Sequence, residues 1–222
     1  MQKAEKAVLK SIDPVWQQMR SEAQTLVDAE PALAAFVFAN LLSHDTLEQA
    51  IIHRVGSWLD HPDLPADLTR RLYTSALQQK PALGLIFRAD LSAVIERDPA
   101  CYRLIEPFLY FKGFVALQAQ RLAHALWLEK RKDLAMMIQS RMAATMNVDI
   151  HPGAKIGRGI MLDHATGCVF GETVVIEDNV SILHDVTLGG STNVKGADRH
   201  PKIRSGVLIG AGAKILGAIE IG

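Results

Sequence analysis

From residue 150 onward the chain keeps a beat of six, and no other feature restricts its fold as much. Apolar or small residues fall at Ile150, Ile156, Leu162 and Cys168, then at Ile176, Ile182 and Leu188, then at Ile203, Ile209, Ile215 and Ile221. Four residues after these come Ala154, Ile160, Thr166, Val180, Val186, Val207, Ala213 and Ile219, all small or branched. A period of six is neither the 3.6 of an α-helix nor the alternation of a half-buried strand. It fits a parallel β-helix, in which each six-residue unit makes one flat side and one corner. Three sides close a triangular coil, so residues about eighteen apart stack.

Two interruptions break the beat. Two residues are added between Cys168 and Ile176, so that Glu172 falls where a small residue is expected. Between Leu188 and Ile203 the stretch "GGSTNVKGADRHPK" must loop out, because a solenoid takes extra residues only away from its stacked core. The chain stops mid-beat at "IEIG". An open β-helix end exposes unpaired backbone, so the expectation is that this sequence is part of a longer protein.

Ahead of Val148 the pattern is helical. Asp13-Pro14 is a helix start, a capping residue followed by proline in the first turn, and "VWQQMRSEAQTLVDAE" continues with apolar spacing of three to four. Similar runs recur through "FKGFVALQAQRLAHALWLEK" and "DLAMMIQSRMAATM", and their short connections predict a compact bundle. The expected fold class is therefore α+β, with an α-helical domain over 1–147 and a left-handed parallel β-helix with an extruded loop over 148–222. His44, His53, His61 and His124 sit singly among the helices and read as surface or satisfied packing residues.

Composition excludes several classes. Lys plus Arg equals Asp plus Glu at 24 each, and no basic block appears, which gives no support for nucleic-acid or membrane-surface binding. The start "MQKAEKAVLK" lacks the apolar run of a signal peptide, so the cytoplasm is expected. Two cysteines without CxxC spacing argue against a disulfide framework, and Cys168 reads as a buried structural thiol.

The segment "IGRGIMLDHATG" sets Asp163 beside His164 just past a flat side, where a side chain faces outward. A neutral imidazole there could remove a proton from an alcohol, with a carboxylate holding its tautomer, or it could be an exposed corner histidine. Asp149, in the preceding coil, is a possible orienter. Arg199-His200 lies in the long insertion, where the planar guanidinium could clamp a small carboxylate. Asp90 reads as a mid-helix or capping carboxylate. Backbone amides at Gly189-Gly190 and around Gly210-Ala211-Gly212 could line a groove. His164, His184 and His200 could together hold zinc between subunits in the manner of γ-class carbonic anhydrases, although spacing alone does not make them converge.

The runs "VDIHPGAKIGRGIMLDHATG", "GETVVIEDNVSILHDVTLGG", "DRHPKI" and "VLIGAGAKILG", with "RDPA" and "FKGFVALQAQR" in the helical half, closely resemble bacterial and plant serine O-acetyltransferases over essentially the whole chain. The resemblance implies acetyl transfer from acetyl-CoA to the hydroxyl of L-serine, with no metal, for cysteine synthesis, and L-cysteine as feedback inhibitor. It implies His164 as general base oriented by Asp149, with Asp90, Asp163, Arg199 and His200 holding serine. Glu172 and Arg204 match positions near that pocket, and Gly189, Gly190, Ala211 and Gly212 are expected along the acetyl-CoA cleft. It further implies a homotrimer or dimer of trimers, with sites between neighbouring β-helices. A C-terminal tail that docks on O-acetylserine sulfhydrylase belongs to many members and is absent from this chain. The "STNVKGADRH" stretch is longer than the family's short glycine-rich loop. A different hydroxyl acceptor, a zinc enzyme and a non-catalytic scaffold that binds the sulfhydrylase are the competing readings.

Overall fold

The computed structural model describes residues 13–191 and 196–222; the start "MQKAEKAVLK" and residues 192–195 of the insertion lie outside the described residues. Helix α1 (Pro14–Ala29) begins as its sequence dictates: the Asp13 side chain accepts from Trp16 N–H, and Pro14 occupies the first turn. The chain then passes through a 3-10 turn at Pro31–Leu33, the short α2 (Ala34–Val37) and a π turn at Phe38–Leu42. Helices α3 (Leu47–Leu59), α4 (Ala66–Gln79), α5 (Leu83–Arg97), α6 (Ile105–Leu109), α7 (Lys112–Leu128) and α8 (Lys132–Met146) follow. Thr46 caps α3 by accepting from Gln49 N–H, while the Gln49 side chain accepts in turn from Asp45 N–H. Tyr73, Phe87, Phe108 and Met19 are fully buried at the centre of this bundle. No helix among the described residues is long and apolar enough to cross a membrane.

Helix α8 ends where Asn147 adopts a left-handed conformation, and the strands start at the next residue. They are β1 (Val148–Ile150), β2 (Lys155–Ile156), β3 (Met161–Leu162), β4 (Cys168–Phe170), β5 (Val175–Ile176), β6 (Ser181–Ile182), β7 (Thr187–Gly189), β8 (Lys202–Ile203), β9 (Leu208–Ile209), β10 (Lys214–Leu216) and β11 (Glu220–Ile221). All pair in parallel. Face 1 of the resulting prism holds β1, β4, β7 and β10, face 2 holds β2, β5, β8 and β11, and face 3 holds β3, β6 and β9.

The register corrects the count made from sequence. Val148 pairs with Cys168 and Ile150 with Phe170, twenty residues apart, whereas Val169 pairs with Thr187 at eighteen. Phe170, not Cys168, therefore stands in the column of Ile150 and Leu188. The two extra residues lie between Leu162 and Phe170, at the corner that carries His164, and not between Cys168 and Ile176. Cys168 and Phe170 are both apolar and both buried, so hydrophobicity alone could not choose between them. With Phe170 as origin the small fourth position is Val174, which is buried, and Glu172 no longer breaks the pattern. Thr166 is exposed, and Ala165 is the buried residue of that corner. The long insertion does loop out: Val175 pairs with Lys202, twenty-seven residues on, without disturbing face 2.

A buried polar network fastens helices to prism. Asp90 on α5 is 0 % exposed; its Oδ2 accepts from Arg121 Nη2 at 2.7 Å and Nε at 3.0 Å and from Gln118 at 3.1 Å. Its Oδ1 accepts from the Ile160 N–H at 3.0 Å, and Arg121 also donates to the carbonyls of Ile156 and Gly157. Burial pushes the Asp90 carboxyl upward, while the Arg121 charge and these donors pull it down. Asp90 is thus a structural tie with its acceptor capacity engaged, and the role of holding serine that the resemblance gave it is corrected.

Candidate active site

His164 stands on the corner between β3 and β4. Its N–H-to-carbonyl pattern is two consecutive γ-turns, Ala165 N–H to Asp163 O and Thr166 N–H to His164 O, with φ of +54° at His164 and +61° at Ala165. Two adjacent non-glycine residues in the left-handed region are costly and persist only where the surroundings over-determine them. Here α7 does so: Gly113 packs on the Leu162 carbonyl, and Lys112 Nζ donates to Thr166 Oγ1 at 2.5 Å. The ring of His164 is lifted clear of the prism, with its side chain 73 % exposed.

A cleft of about 530 Å³ opens beside it, lined by Asp98, Tyr110, Phe111, Lys112, Asp163 and His164, among others. Asp163 Oδ2 approaches His164 Nε2 at 3.6 Å, and the ring of His184, one coil below, meets that of His164 edge to face at 5.8 Å. Two carboxylates and an imidazole around an open cleft suit a substrate with a cationic amine and a hydroxyl that must lose its proton.

Asp98 and Lys112 are the residues that sequence reasoning passed over. Asp98 was within reach, since "RDPA" places a carboxylate and a proline right after α5, which makes an exposed turn; Asp98 Oδ1 caps it by accepting from Ala100 N–H.

Asp149 lies outward on β1 and accepts from Gln139 Nε2 at 2.6 Å; no hydrogen bond joins it to His164, and the carboxylate approaching that ring is Asp163. Arg199 and His200 sit on a different corner, between face 1 and face 2. There Arg199 Nη2 pairs with Glu172 Oε2 at 3.0 Å, and His200 is buried against Thr173. Burial, then the Arg199 and Lys202 charges, push the His200 imidazole below its usual pKa. Gly190 lies against both residues, while Gly189 pairs with Leu216 on face 1. Ala211 and Gly212 belong to the His164 corner instead: Asp185 N–H donates to Thr166 O, and Gly212 N–H to His184 O two coils down. Arg204 is on neither; it pairs with Glu177 at 2.6 Å and with Glu220 along the rim of face 2. His164 and His184 adjoin, but His200 lies across face 1 from them, and no cluster of three metal-ligating side chains occurs among the described residues.

The cleft that seats His164 is thus built by both halves of the chain, and both halves match known proteins. The N-terminal serine acetyltransferase family model matches residues 15–119. The serine acetyltransferase of Escherichia coli K12 is 52% identical over 211 residues, 95% of this chain and 77% of that protein. The chain belongs to the serine acetyltransferase family. Among solved structures, the serine acetyltransferase of Brucella abortus in complex with coenzyme A matches with a TM-score of 0.93 at 51% identity, covering 96% of this chain and 85% of that one. A serine acetyltransferase in complex with cysteine matches with a TM-score of 0.91 at 49% identity, covering 94% and 86%. Likeness at this level makes the prism the left-handed, hexapeptide-repeat β-helix of that family.

Proposed function

We propose that this chain transfers the acetyl group of acetyl-CoA to the hydroxyl of L-serine, giving O-acetyl-L-serine and CoA for cysteine synthesis, with L-cysteine as inhibitor in the same cleft. The observation that carries it is the gathering of Asp98, Asp163 and His164 around one opening, in a chain of this family. Serine is a zwitterion whose hydroxyl is a poor nucleophile at neutral pH. Asp98 and Asp163 supply the negative charge for its ammonium, and His164 takes the hydroxyl proton as oxygen attacks the thioester carbonyl. His164 then returns the proton to the departing thiolate.

Lys112 lines the cleft with its ammonium turned to Thr166, and the planar fork of Arg199, with His200, is the better match for the carboxylate end of serine from the opposite side of face 1. A site using both corners is completed by a second copy of the chain, in keeping with a trimer or a pair of trimers. Acetyl-CoA fits the exposed ledge at Gly210–Gly212, where a Cβ on Gly210 would meet nothing within 4 Å. Ala211 lies two coils below His164, about 10 Å at the usual strand spacing. Gly189 and Gly190, across face 1, would border the same groove from the second copy. In this reading residues 1–147 form the helical domain and 148–222 the acetyl-transfer domain. The thiols of Cys101 and Cys168 are free and buried, which suits the reducing cytoplasm. Docking on O-acetylserine sulfhydrylase would use a tail beyond these residues.

The test is release of CoA thiol from acetyl-CoA by the purified chain with L-serine, with other hydroxyl compounds and with none. Serine-dependent release with O-acetylserine as product, suppressed by cysteine, supports the proposal. Equal release with unrelated alcohols, or none with serine, sinks it.

A further inference from the structure

His200 is 6 % exposed, and its ring lies close against Gly171, where a Cβ would fall 1.9 Å from Nε2. Its other nitrogen, Nδ1, meets two groups of one residue: the Thr173 N–H at 3.2 Å and the Thr173 hydroxyl at 2.8 Å. A backbone N–H can only donate, so Nδ1 must present its lone pair, and a proton there would set two N–H hydrogens against each other. The hydroxyl oxygen already accepts from Arg199 N–H at 3.1 Å, which leaves its proton free to turn to Nδ1. Asp198 also draws on that hydroxyl. The N–H contact, long at 3.2 Å, favours the bare Nδ1 however the hydroxyl rotates, and the shorter hydroxyl contact is the second donor that holds the ring fully in that tautomer.

We propose that Thr173 is a positioning residue of the acetyl-transfer site: it holds Nδ1 of His200 unprotonated, so that the ring offers a single fixed donor, Nε2–H, toward the space bordered by Gly171 and Gly190. The functional half of this proposal rests on the reading that His200 serves the serine site. A neutral donor of fixed direction is what a carboxylate or a developing oxyanion needs at a buried position, since it requires no reorganisation when the negative charge arrives. Around the ring, Arg199, Lys202 and His151 oppose its protonation and Glu172 favours it, so the neutral state accords with the local charge as well as with burial. By accepting from Arg199 N–H, the same hydroxyl ties down the other residue expected at the carboxylate.

The experiment uses the full chain labelled with ¹⁵N-histidine, compared as wild type, Thr173→Ser, Thr173→Val and His200→Gln, the last to assign the signal. Long-range ¹H–¹⁵N correlation spectra between about pH 6 and pH 8, where an ordinary histidine titrates, should show His200 with a bare Nδ1 and a protonated Nε2 in wild type and Thr173→Ser. Thr173→Val should move toward a tautomer mixture and raise the KM for serine roughly tenfold, the worth of about one oriented hydrogen bond. The KM for acetyl-CoA and the melting temperature should stay near wild type. A wild-type ring protonated on Nδ1, or a Thr173→Val spectrum identical to wild type, overturns the proposal. An equal fall in stability and in every kinetic constant reduces Thr173 to a packing residue and also overturns it. The spectrum needs neither substrate, so an altered tautomer with an unchanged serine KM would refute the role of His200 at the serine site and not the assignment of its proton.

Discussion

Gly113 and Leu162 touch so closely that a Cβ on the glycine would lie 1.9 Å from the leucine carbonyl oxygen. Helix α7 is thereby seated directly on the corner that lifts His164. Gly113→Ala must push the helix and the corner apart. The expected cost is about 1–3 kcal/mol of stability, the usual range for overpacking. It should appear as a lower melting temperature together with a fall in kcat at saturating serine.

His164→Ala should retain the fold, since the side chain is mostly exposed, and lose roughly 10²–10⁴-fold in kcat, the usual worth of a general base. Steady-state kinetics with purified variant and wild type check this. Near-normal turnover would remove His164 from the mechanism.

The two aspartates of α5 and its following turn should separate cleanly. Asp98→Asn should raise the KM for serine roughly 10- to 100-fold, as loss of a charged hydrogen-bond partner does, with the melting temperature little changed. Asp90→Ala should strand the Arg121 guanidinium without its buried partner, at a cost of about 3–5 kcal/mol, read in a denaturant melt. A stable Asp90→Ala protein with only a serine defect would reverse this assignment.

Arg199 should reveal its function through the acceptor. If the guanidinium holds the serine carboxylate, Arg199→Ala should chiefly raise the serine KM, and serine amide should be a poor acceptor for wild type. Equal use of serine and its amide would refute the clamp.

The helical half carries a separate pH dependence. The rings of His44 and His53 meet at 4.9 Å, tilted by 46°, and His44 Nε2 is buried without a hydrogen-bond partner among the described residues. Burial, then the Arg70 charge, His44 and Arg54 push His53 down to about 4. A histidine whose folded pKa is depressed binds protons more readily when unfolded. Its contribution is complete above the unfolded value near 6.5 and is lost as pH falls toward 4. Melting temperatures measured from pH 7 to pH 4.5 should decline, and His53→Gln should flatten part of that decline.

How much of this was legible in the sequence depended on whether the deciding partner was local. The six-residue beat, the Asp13-Pro14 helix start and the inward Cys168 follow from neighbours a few positions away. The placement of the two extra residues did not, because Cys168 and Phe170 are equally apolar and only pairing with Val148 and Ile150 distinguishes them. Asp90 and Asp98 show the same limit. Phe87, Leu91 and Val94 already put Asp90 on a buried stripe, but its fate turns on Arg121, thirty-one residues later. The opposite corners of His164 and Arg199 become apparent only once the coil is closed.

The unequal coils have a consequence for how such a protein can change. Spacings of twenty, eighteen and twenty-seven residues coexist while the paired columns stay in step. The walls of the prism thus tolerate edits at their edges, much as a woven fabric tolerates fringe. In the proposed function both surplus stretches lie at the site, one bearing His164 and the other Arg199 and His200. Residue-by-residue variation in corner length is therefore a route by which new acceptors could be admitted or rejected while the stacked interior remains the same.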